Sequence, residues 1–275
     1  KIREEERKVL YDQYYGMEKE VVTGIVQRVM GKNVSVNLGK ADGILSENEQ
    51  VKGEEFEPTE RIKVYILEVK DTPKGPRILL SRTHPGLVKR LFESEVAEVK
   101  DGTVEIKSIA REAGSRTKIA VWSNDPDVDP VGACVGMNGA RVNSIVEELR
   151  GEKIDIINWD ENPAILIENA LSPAKVIAVM ADPDEKTALV VVPDYQLSLA
   201  IGKEGQNARL AARLTGFKID IKSETQARES GELYDYDDED EYYDEEEYSE
   251  EGAVESEETE TEETEEVSEE TTVEE

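Results

Sequence analysis

The fold is decided by two stretches of sequence, VGMNGARVNSIVEELRGEKIDII (residues 135–157) and IGKEGQNARLAARLTGFKIDI (residues 201–221). Each contains a G-x-x-G motif between two stretches with helical patterning, and each then ends in a short strand that contains Ile-Asp-Ile. For a lone motif of this kind, an ordinary turn between helices is the better interpretation. Two copies about 65 residues apart, with the same flanking elements, instead indicate an internal repeat.

The two motifs suit contact with nucleic acid. Glycine lets the backbone turn tightly and approach a phosphate, and the following helix offers free N–H groups and the positive end of its dipole. Lys203 can add a phosphate contact, whereas Glu204 must point away. Arginines in the following helices suit phosphates and bases, although helical arginines are also common solvated surface groups. Asn143 and Asn207 carry amides that could read base edges.

The repeat resembles tandem KH domains, whose G-x-x-G loop clamps the backbone of about four nucleotides. The order of elements expected around each motif is α-β-β-α-α-β, as in the bacterial (type II) KH domain. In the second unit, Asp194 can cap the helix expected at 195–201. We place the first domain at residues 84–158 and the second at 159–227, and the short linker 158–162 predicts that they pack as one body. The expected RNA-binding residues are Gly136, Met137, Asn138, Gly139, Arg141, Gly202, Lys203, Glu204, Gly205, Asn207 and Arg209.

Residues 18–83 have the pattern of an all-β domain. Short runs rich in Val and Ile alternate with turns at a spacing that suits a five-stranded barrel. The stretches TGIV (23–26) and ILLSR (78–82) resemble the ribosomal S-one repeat type of OB fold. That family often stacks bases on aromatics of its middle strands, but here only Phe56 and Tyr65 are candidates. We therefore expect secondary RNA contacts through Arg28, Lys32 and Lys40.

The negative charge is concentrated at the C-terminal end. The chain has a formal net charge of −31, and the residues from Gly231 onward contain 25 Asp and Glu but no Lys or Arg. The remaining 39 acidic and 33 basic residues give the body a net charge of only −6. Because the acidic end is poor in aliphatic residues, we expect residues 228–275 to be a disordered tail. The complete fold class is thus a multidomain α+β chain, with an OB-fold barrel, two type II KH domains and this tail.

Several classes of chemistry are disfavoured. With one cysteine (Cys134) and one histidine (His84), the chain has no zinc-finger spacing, no disulfide framework and no Cys–His dyad. The run Asp125–Asp129 imitates a calcium loop but lacks its later glycine and glutamate, so a capped turn is expected. No apolar run approaches the length of a membrane span. We expect no catalytic residue, no metal, no cofactor and no membrane contact, and a cytoplasmic location.

The order of the domains resembles that of the NusA family of bacterial transcription elongation and termination factors. The supporting stretches include IKSIAREAGSRTKIAV (106–121) and AIGKEGQNARLAARLTG (200–216). The resemblance implies a non-enzymatic, monomeric factor that holds nascent single-stranded RNA near RNA polymerase and modulates pausing, intrinsic termination and antitermination. Its partners would be RNA polymerase, bound mainly through a missing N-terminal domain, and other antitermination factors. Residues 1–17 would be the end of the connecting helix from that domain.

Two other functions stay open at this point. One is an RNA-binding appendage of an RNA-degrading enzyme such as polynucleotide phosphorylase, which also combines KH and S-one-type domains. The other is an interaction scaffold that works through the acidic tail.

Overall fold

An N-terminal helix, a five-stranded barrel and two α-β-β-α-α-β units follow one another along the chain. The structure, a computed structural model, describes residues 2–232. Within this range it confirms the expected barrel and the two KH units. Residues 233–275, the greater part of the expected acidic tail, lie outside the described residues.

The barrel is closed by pairing between its first and fourth strands. Helix α1 (Ile2–Tyr15) precedes it, and the strands are β1 (Val21–Met30), β2 (Asn33–Asn37), β3 (Asp42–Leu45), β4 (Arg61–Lys70) and β5 (Arg77–Ser81). They lie in the order β1-β2-β3-β5-β4, and only the β3–β5 pair is parallel. Alternating Val, Ile and Leu side chains fill the interior. The tight packing leaves no room for a side chain at Gly24 on β1, because a Cβ atom there would lie 2.3 Å from Cγ1 of Val36 on β2.

The first KH unit packs its helices on one face of a three-stranded sheet. Its elements are α2 (Pro85–Glu95), α3 (Ala97–Lys100), β6 (Val104–Glu112), β7 (Arg116–Ser123), α4 (Pro130–Val135), α5 (Ala140–Glu148) and β8 (Lys153–Asn158). Strand β7 is central, antiparallel to β6 and parallel to β8. The capped turn predicted before α4 is confirmed, since the Asp129 carboxylate accepts a bond from Val131 N and Pro130 occupies the first helical position. The short helix α3 was not expected.

The second KH unit repeats this arrangement. Its elements are α6 (Pro163–Ala170), β9 (Ala178–Asp182), β10 (Thr187–Val192), α7 (Leu197–Ile201), α8 (Gln206–Thr215), β11 (Lys218–Ser223) and α9 (Glu224–Glu229). Strand β10 is central, antiparallel to β9 and parallel to β11. Helix α9 begins with a capping box at Ser223 and continues two residues beyond the expected start of the tail.

Buried charges join the barrel to the first KH unit. Arg82 is 1% exposed and donates to both carboxylate oxygens of Glu54, at 2.7 and 2.6 Å. Its guanidinium also donates to the carbonyl oxygens of Lys63 and Glu148, at 2.8 and 3.2 Å. Because Glu148 lies on α5, this one side chain connects the end of the barrel to the helix that follows the first G-x-x-G motif.

The two KH units share one core, as the short linker predicted. Ala110, Ala120 and Ile157 from the first sheet belong to the same hydrophobic cluster as the buried residues of α6 and α8. Lys118 on β7 is completely buried, and its ammonium donates to Asp155 Oδ2 at 3.0 Å and to the carbonyl oxygen of Ser172 at 2.8 Å. The second KH unit therefore covers the face of the first sheet that its own helices leave open.

Candidate nucleic-acid interface

The two G-x-x-G loops have the same backbone conformation. Gly136 and Gly202 have φ angles of 76° and 77°, and Gly139 and Gly205 have φ angles of 75° and 74°. The third residue of each loop is also left-handed, with φ values of 53° at Asn138 and 54° at Glu204. An amide and a carboxylate thus occupy equivalent strained positions. The repeated feature is the path of the backbone, as expected for loops that act through their N–H groups.

The first glycine of each loop is required by the helix that follows. A Cβ atom on Gly136 would lie 2.8 Å from Arg141 Cγ, and one on Gly202 would lie 2.8 Å from both the backbone nitrogen and Cβ of Asn207. In addition, a positive φ is costly for residues with a side chain. Both loops are therefore held against α5 or α8, with the next helix beginning directly behind them.

The middle residues of both loops face solvent. Met137 is 85% exposed, and Asn138, Lys203 and Glu204 are also exposed. Among residues 2–232, no hydrogen bond or ion pair engages the Lys203 ammonium. Its charge is therefore available to a phosphate without first breaking a contact inside the protein.

Arg141 and Asn207 occupy equivalent positions, two residues after the second glycine, and both are used inside the protein. One η nitrogen of Arg141 donates to the Ala133 carbonyl oxygen at 2.7 Å and to Glu98 Oε2 at 2.9 Å. Asn207 is 3% exposed, and its amide nitrogen donates to the carbonyl oxygens of Leu171 and Ala200, both at 3.0 Å. The expected reading of bases by Asn207 does not fit this burial. Instead, each side chain ties its helix to the helix before the loop.

Arg209 lies on the outer side of the second loop and is 43% exposed. Its Nε donates to Glu112 Oε1 at 2.5 Å, and its Nη1 donates to the Glu204 carbonyl oxygen at 3.0 Å. Asn143, at the equivalent position of the first unit, is exposed on α5. The partner of Arg209 comes from the other KH unit, because Glu112 is the last residue of β6.

An open groove connects the first KH unit with the second. A cavity of about 540 Å³ lies between α4 and β8 on one side and the α6–β9 segment on the other. Its lining combines apolar, polar and charged residues, among them Val131, Ile156, Asn158, Asn169, Glu168 and Lys175. Apolar surface beside a few polar groups is typical of sites that hold small organic groups such as bases, while the Glu168 carboxylate disfavours a phosphate next to it.

The groove leads toward the helix that precedes the second loop. Lys175 N donates to Gln196 Oε1 at 3.1 Å, which places this segment beside the start of α7. The neighbouring Tyr195 is 77% exposed and has a free aromatic face. Sequence patterning did not single out Lys175 or Tyr195. Tyr195 lies seven residues before Gly202, just as Asp129 lies seven residues before Gly136. Alignment of the two repeats on their glycines would therefore have shown an aromatic residue in place of a carboxylate.

Asp194, expected to cap the helix after it, has another role. Residues Asp194–Gln196 form a single 3-10 turn, and α7 begins at Leu197. The carboxylate of Asp194 accepts bonds from the backbone nitrogen and the hydroxyl of Thr225, at 3.1 and 2.5 Å. These bonds lower the pKa of Asp194 and attach α9 to the second unit.

The barrel offers fewer free groups than expected. Arg28 is exposed on β1, but the Lys32 ammonium pairs with Glu47 at 2.9 Å and that of Lys40 donates to Gln13 at 3.3 Å. The ring of Tyr65 is buried and stacks on His84 with centroids 4.6 Å apart. Phe56 lies under the Arg150 guanidinium. Neither aromatic is free to stack a base.

Neither a metal-binding cluster nor an activated cysteine is found among the described residues. Between residues 2 and 232, no group of three His, Cys, Asp or Glu side chains is placed to hold a metal ion. Cys134 is buried in α4, and burial raises the pKa of its thiol to about 12, so the nucleophilic thiolate is not formed near neutral pH. In the same range, no helix has the length and apolar character needed to cross a bilayer.

Comparison with known proteins identifies each domain. A NusA-like first KH domain matches residues 82–159, a NusA-like second KH domain matches residues 163–229, and an S1 RNA binding domain matches residues 16–81. The transcription termination/antitermination protein NusA of Mycobacterium tuberculosis (strain H37Rv) is 49% identical over 233 residues, which cover 82% of this chain and 67% of that protein. The chain belongs to the NusA family.

Other NusA family members are more similar in sequence. The protein of the same name from Bacillus subtilis is 61% identical over 231 residues, which cover 84% of this chain and 62% of that relative. The one from Halalkalibacterium halodurans is 57% identical over 235 residues, with coverage of 86% and 62%. The chain thus spans about three fifths of the length of these two NusA proteins.

Proposed function

We propose that this chain is the RNA-binding part of a transcription termination and antitermination factor, and that its two KH domains hold one single strand of RNA. The observation that carries the proposal is the pair of loops with the same backbone conformation. Both loops expose their middle residues, and both precede a helix whose N-terminal N–H groups can bind phosphate. The names of the relatives support a role in transcription.

The strand would pass from the first loop through the interdomain groove to the second loop. Val131 and Ile156 in the groove lining suit unstacked bases, and Lys175, which shares that lining with Glu168, can contact a phosphate on the way. Tyr195 offers a stacking surface worth about 1–3 kcal/mol per base. The ammonium of Lys203 and the free edge of Arg209 then contact phosphates at the second loop.

The remaining assignments rest on family membership. The transcribing RNA polymerase and other antitermination factors are the proposed partners, and nascent RNA is the proposed ligand. The chain would act by holding RNA, without a reaction of its own, and would do so as a monomer in the cytoplasm. Arg28, Lys32 and Lys40 on the barrel would add weaker contacts, for which Lys32 must first leave Glu47.

Loop variants test the proposal. Lys203→Asp with Glu204→Asp, and separately Met137→Asp with Asn138→Asp, keep every glycine but add two units of negative charge to one loop. Each double variant should bind single-stranded RNA at least about ten-fold more weakly, because the added carboxylates repel phosphate. The readout is fluorescence anisotropy of a labelled RNA selected from a random pool.

A matched control separates loop repulsion from the general change in charge. Lys74→Asp adds the same charge on the exposed turn between β4 and β5 and should leave RNA affinity nearly unchanged. If both loop variants melt like the parent protein and bind RNA as tightly as Lys74→Asp, RNA is not held by these loops.

A further inference from the structure

The turn between β6 and β7 of the first KH domain touches the RNA-binding loop of the second. Glu112 Oε1 accepts from Arg209 Nε at 2.5 Å, and Glu112 Oε2 accepts from Gln206 Nε2 at 2.9 Å. Gln206 Nε2 also donates to Ser115 Oγ at 2.7 Å. Glu112 and Arg209 are 97 residues apart in the chain, so these are contacts between domains.

These contacts hold Arg209 in a single orientation. Its Nε is bonded to Glu112 and its Nη1 to the Glu204 carbonyl oxygen within the loop. Nη2 has no partner among residues 2–232, so it is the nitrogen left for a ligand. A guanidinium fixed at two of its three nitrogens loses less freedom when the third binds a phosphate, and affinity rises accordingly.

The same contacts hold the beginning of α8. Gln206 is the first residue of that helix and directly follows Gly205. Its side-chain amide nitrogen donates hydrogen bonds to Glu112 and Ser115, so the β6–β7 turn is bonded to the first residue of the helix that follows the loop. The first loop has no equivalent side-chain hydrogen bonds, because Ala140 occupies the position of Gln206 and has no polar side chain.

The negative charge of Glu112 does not cancel the attraction for phosphate. Arg213 also lies close, with its Nη1 3.8 Å from Glu112 Oε1. Lys203 adds a third cation on the loop, against the two carboxylates of Glu112 and Glu204. Bonding to Arg209 lowers the pKa of Glu112, so the carboxylate stays ionised near neutral pH.

We propose that Glu112, with Ser115, is a positioning element of the second RNA-binding loop, supplied by the first KH domain. Glu112 orients Arg209 and Gln206, so the second loop attains its full affinity only when the first domain is docked beside it. This inference rests on the proposed function, and it adds residues outside both G-x-x-G motifs to the RNA-binding apparatus.

Two substitutions at one position separate positioning from charge. Glu112→Gln and Glu112→Ala remove the same negative charge, but only glutamine keeps an oxygen for Arg209 Nε, and the Gln206 amide can turn to pair with it. In the full chain, Glu112→Ala should bind a labelled single-stranded RNA from a random pool about three- to ten-fold more weakly than Glu112→Gln. Ser115→Ala, which removes one contact to Gln206, should have a smaller effect of the same sign.

The effect should be confined to the second loop. In the background of Lys203→Asp and Glu204→Asp, the difference between the two Glu112 variants should disappear. In the background of Met137→Asp and Asn138→Asp, it should persist. A merely structural role predicts equal differences in affinity in both backgrounds. NMR reports the positioning directly: the amide shifts of Lys203 and Gly205 should change in Glu112→Ala but not in Glu112→Gln.

The outcomes are distinguishable. Equal RNA affinities of Glu112→Ala and Glu112→Gln, with both proteins folded, overturn the positioning role while leaving the proposed function intact. If the loop double variants themselves bind RNA like the parent protein, the proposed function fails first. A difference between the Glu112 variants that is the same in both loop backgrounds also overturns the inference, because it would then reflect general stability.

Discussion

Replacement of Arg82 by Met should be among the most destabilising single changes in the barrel and first KH domain. Methionine keeps most of the aliphatic stem but removes every hydrogen bond of the guanidinium. The Glu54 side chain is only 5% exposed, and its carboxylate would lose both of its short hydrogen bonds from Arg82 while it keeps its negative charge. Removal of one partner from a buried ion pair costs about 3–5 kcal/mol, because the other charge remains buried and uncompensated.

A second substitution shows where that cost arises. Arg82→Met combined with Glu54→Met removes the orphaned Glu54 carboxylate and leaves the carbonyl oxygens of Lys63 and Glu148 without their donor. The half-buried Glu148 carboxylate, 3.6 Å from Arg82 Nη1, also loses its cation, but it keeps its hydrogen bond from Lys63 N. Two unpaired carbonyl groups account for about 2 kcal/mol, so the double variant should be more stable than the single one. The double variant should therefore recover about 1–3 kcal/mol of the free energy of unfolding that Arg82→Met alone loses.

Urea unfolding followed by circular dichroism measures these differences. With a slope of about 2 kcal/mol per molar urea, Arg82→Met should lower the unfolding midpoint by about 1.5–2.5 M. Lys74→Asp, on an exposed barrel turn, serves as the control that should not move it. A midpoint for Arg82→Met within about 0.5 M of the parent protein would show that the buried pair does not join the barrel to the KH domain as described.

Three further predictions concern salt, acid and the C-terminal segment. With about four to six phosphate contacts, the logarithm of the RNA-binding constant should fall with the logarithm of salt concentration at a slope near −3 to −4, and a slope near zero in a salt titration would exclude phosphate capture. Burial alone would raise the pKa of Glu152, but hydrogen bonds from Arg111 and Thr117 hold that pKa below its ordinary value. Glu152 therefore stabilises the fold above about pH 4.3, and that stability is lost as the pH falls through the lower pKa of the folded state. Glu152→Gln should therefore flatten the acid limb of a plot of melting temperature against pH, and an unchanged limb would contradict this. Truncation after Glu232 removes most of the acidic residues of the tail and should raise RNA affinity modestly at low salt. The difference should shrink as salt rises, because charges beyond about 10 Å become screened. A lower affinity after truncation would contradict repulsion between the tail and RNA.

The sequence predicted those features that depend on local patterning. The repeated motif with its flanking helices and strand was sufficient for the order of the main elements in both KH domains, although not for the short helices α3 and α9. Alternating Val and Ile residues were sufficient for the barrel. The expected lack of stacking aromatics on the barrel also agrees with the structure, in which Tyr65 is buried and Phe56 lies under Arg150. In these cases, the determining residues lie within a few positions of one another.

The roles of individual polar side chains could not be predicted in the same way. Asn207 was expected to face RNA, but the helix before the loop and the α6 end supply carbonyl oxygens that draw its amide inward. Asp194 bonds to Thr225, 31 residues later, instead of capping its own helix. The partner of Arg209 lies 97 residues earlier, in the other domain. Such pairings follow from how the domains dock, which periodicity along the chain does not encode.

The shared core has a consequence for synthesis of the protein. On a ribosome, the first sheet emerges with Ala110, Ala120 and Ile157 on a face that its own helices never cover. The covering helix α8 begins 49 residues after Ile157 completes that face, a delay of roughly 2–10 s at ordinary elongation rates. During that interval, helices cover only one face of the first sheet, and its apolar second face is exposed to water, to chaperones or to neighbouring nascent chains. A fragment that stops at Asn158 should therefore aggregate or bind chaperones more readily than the chain that continues through α8.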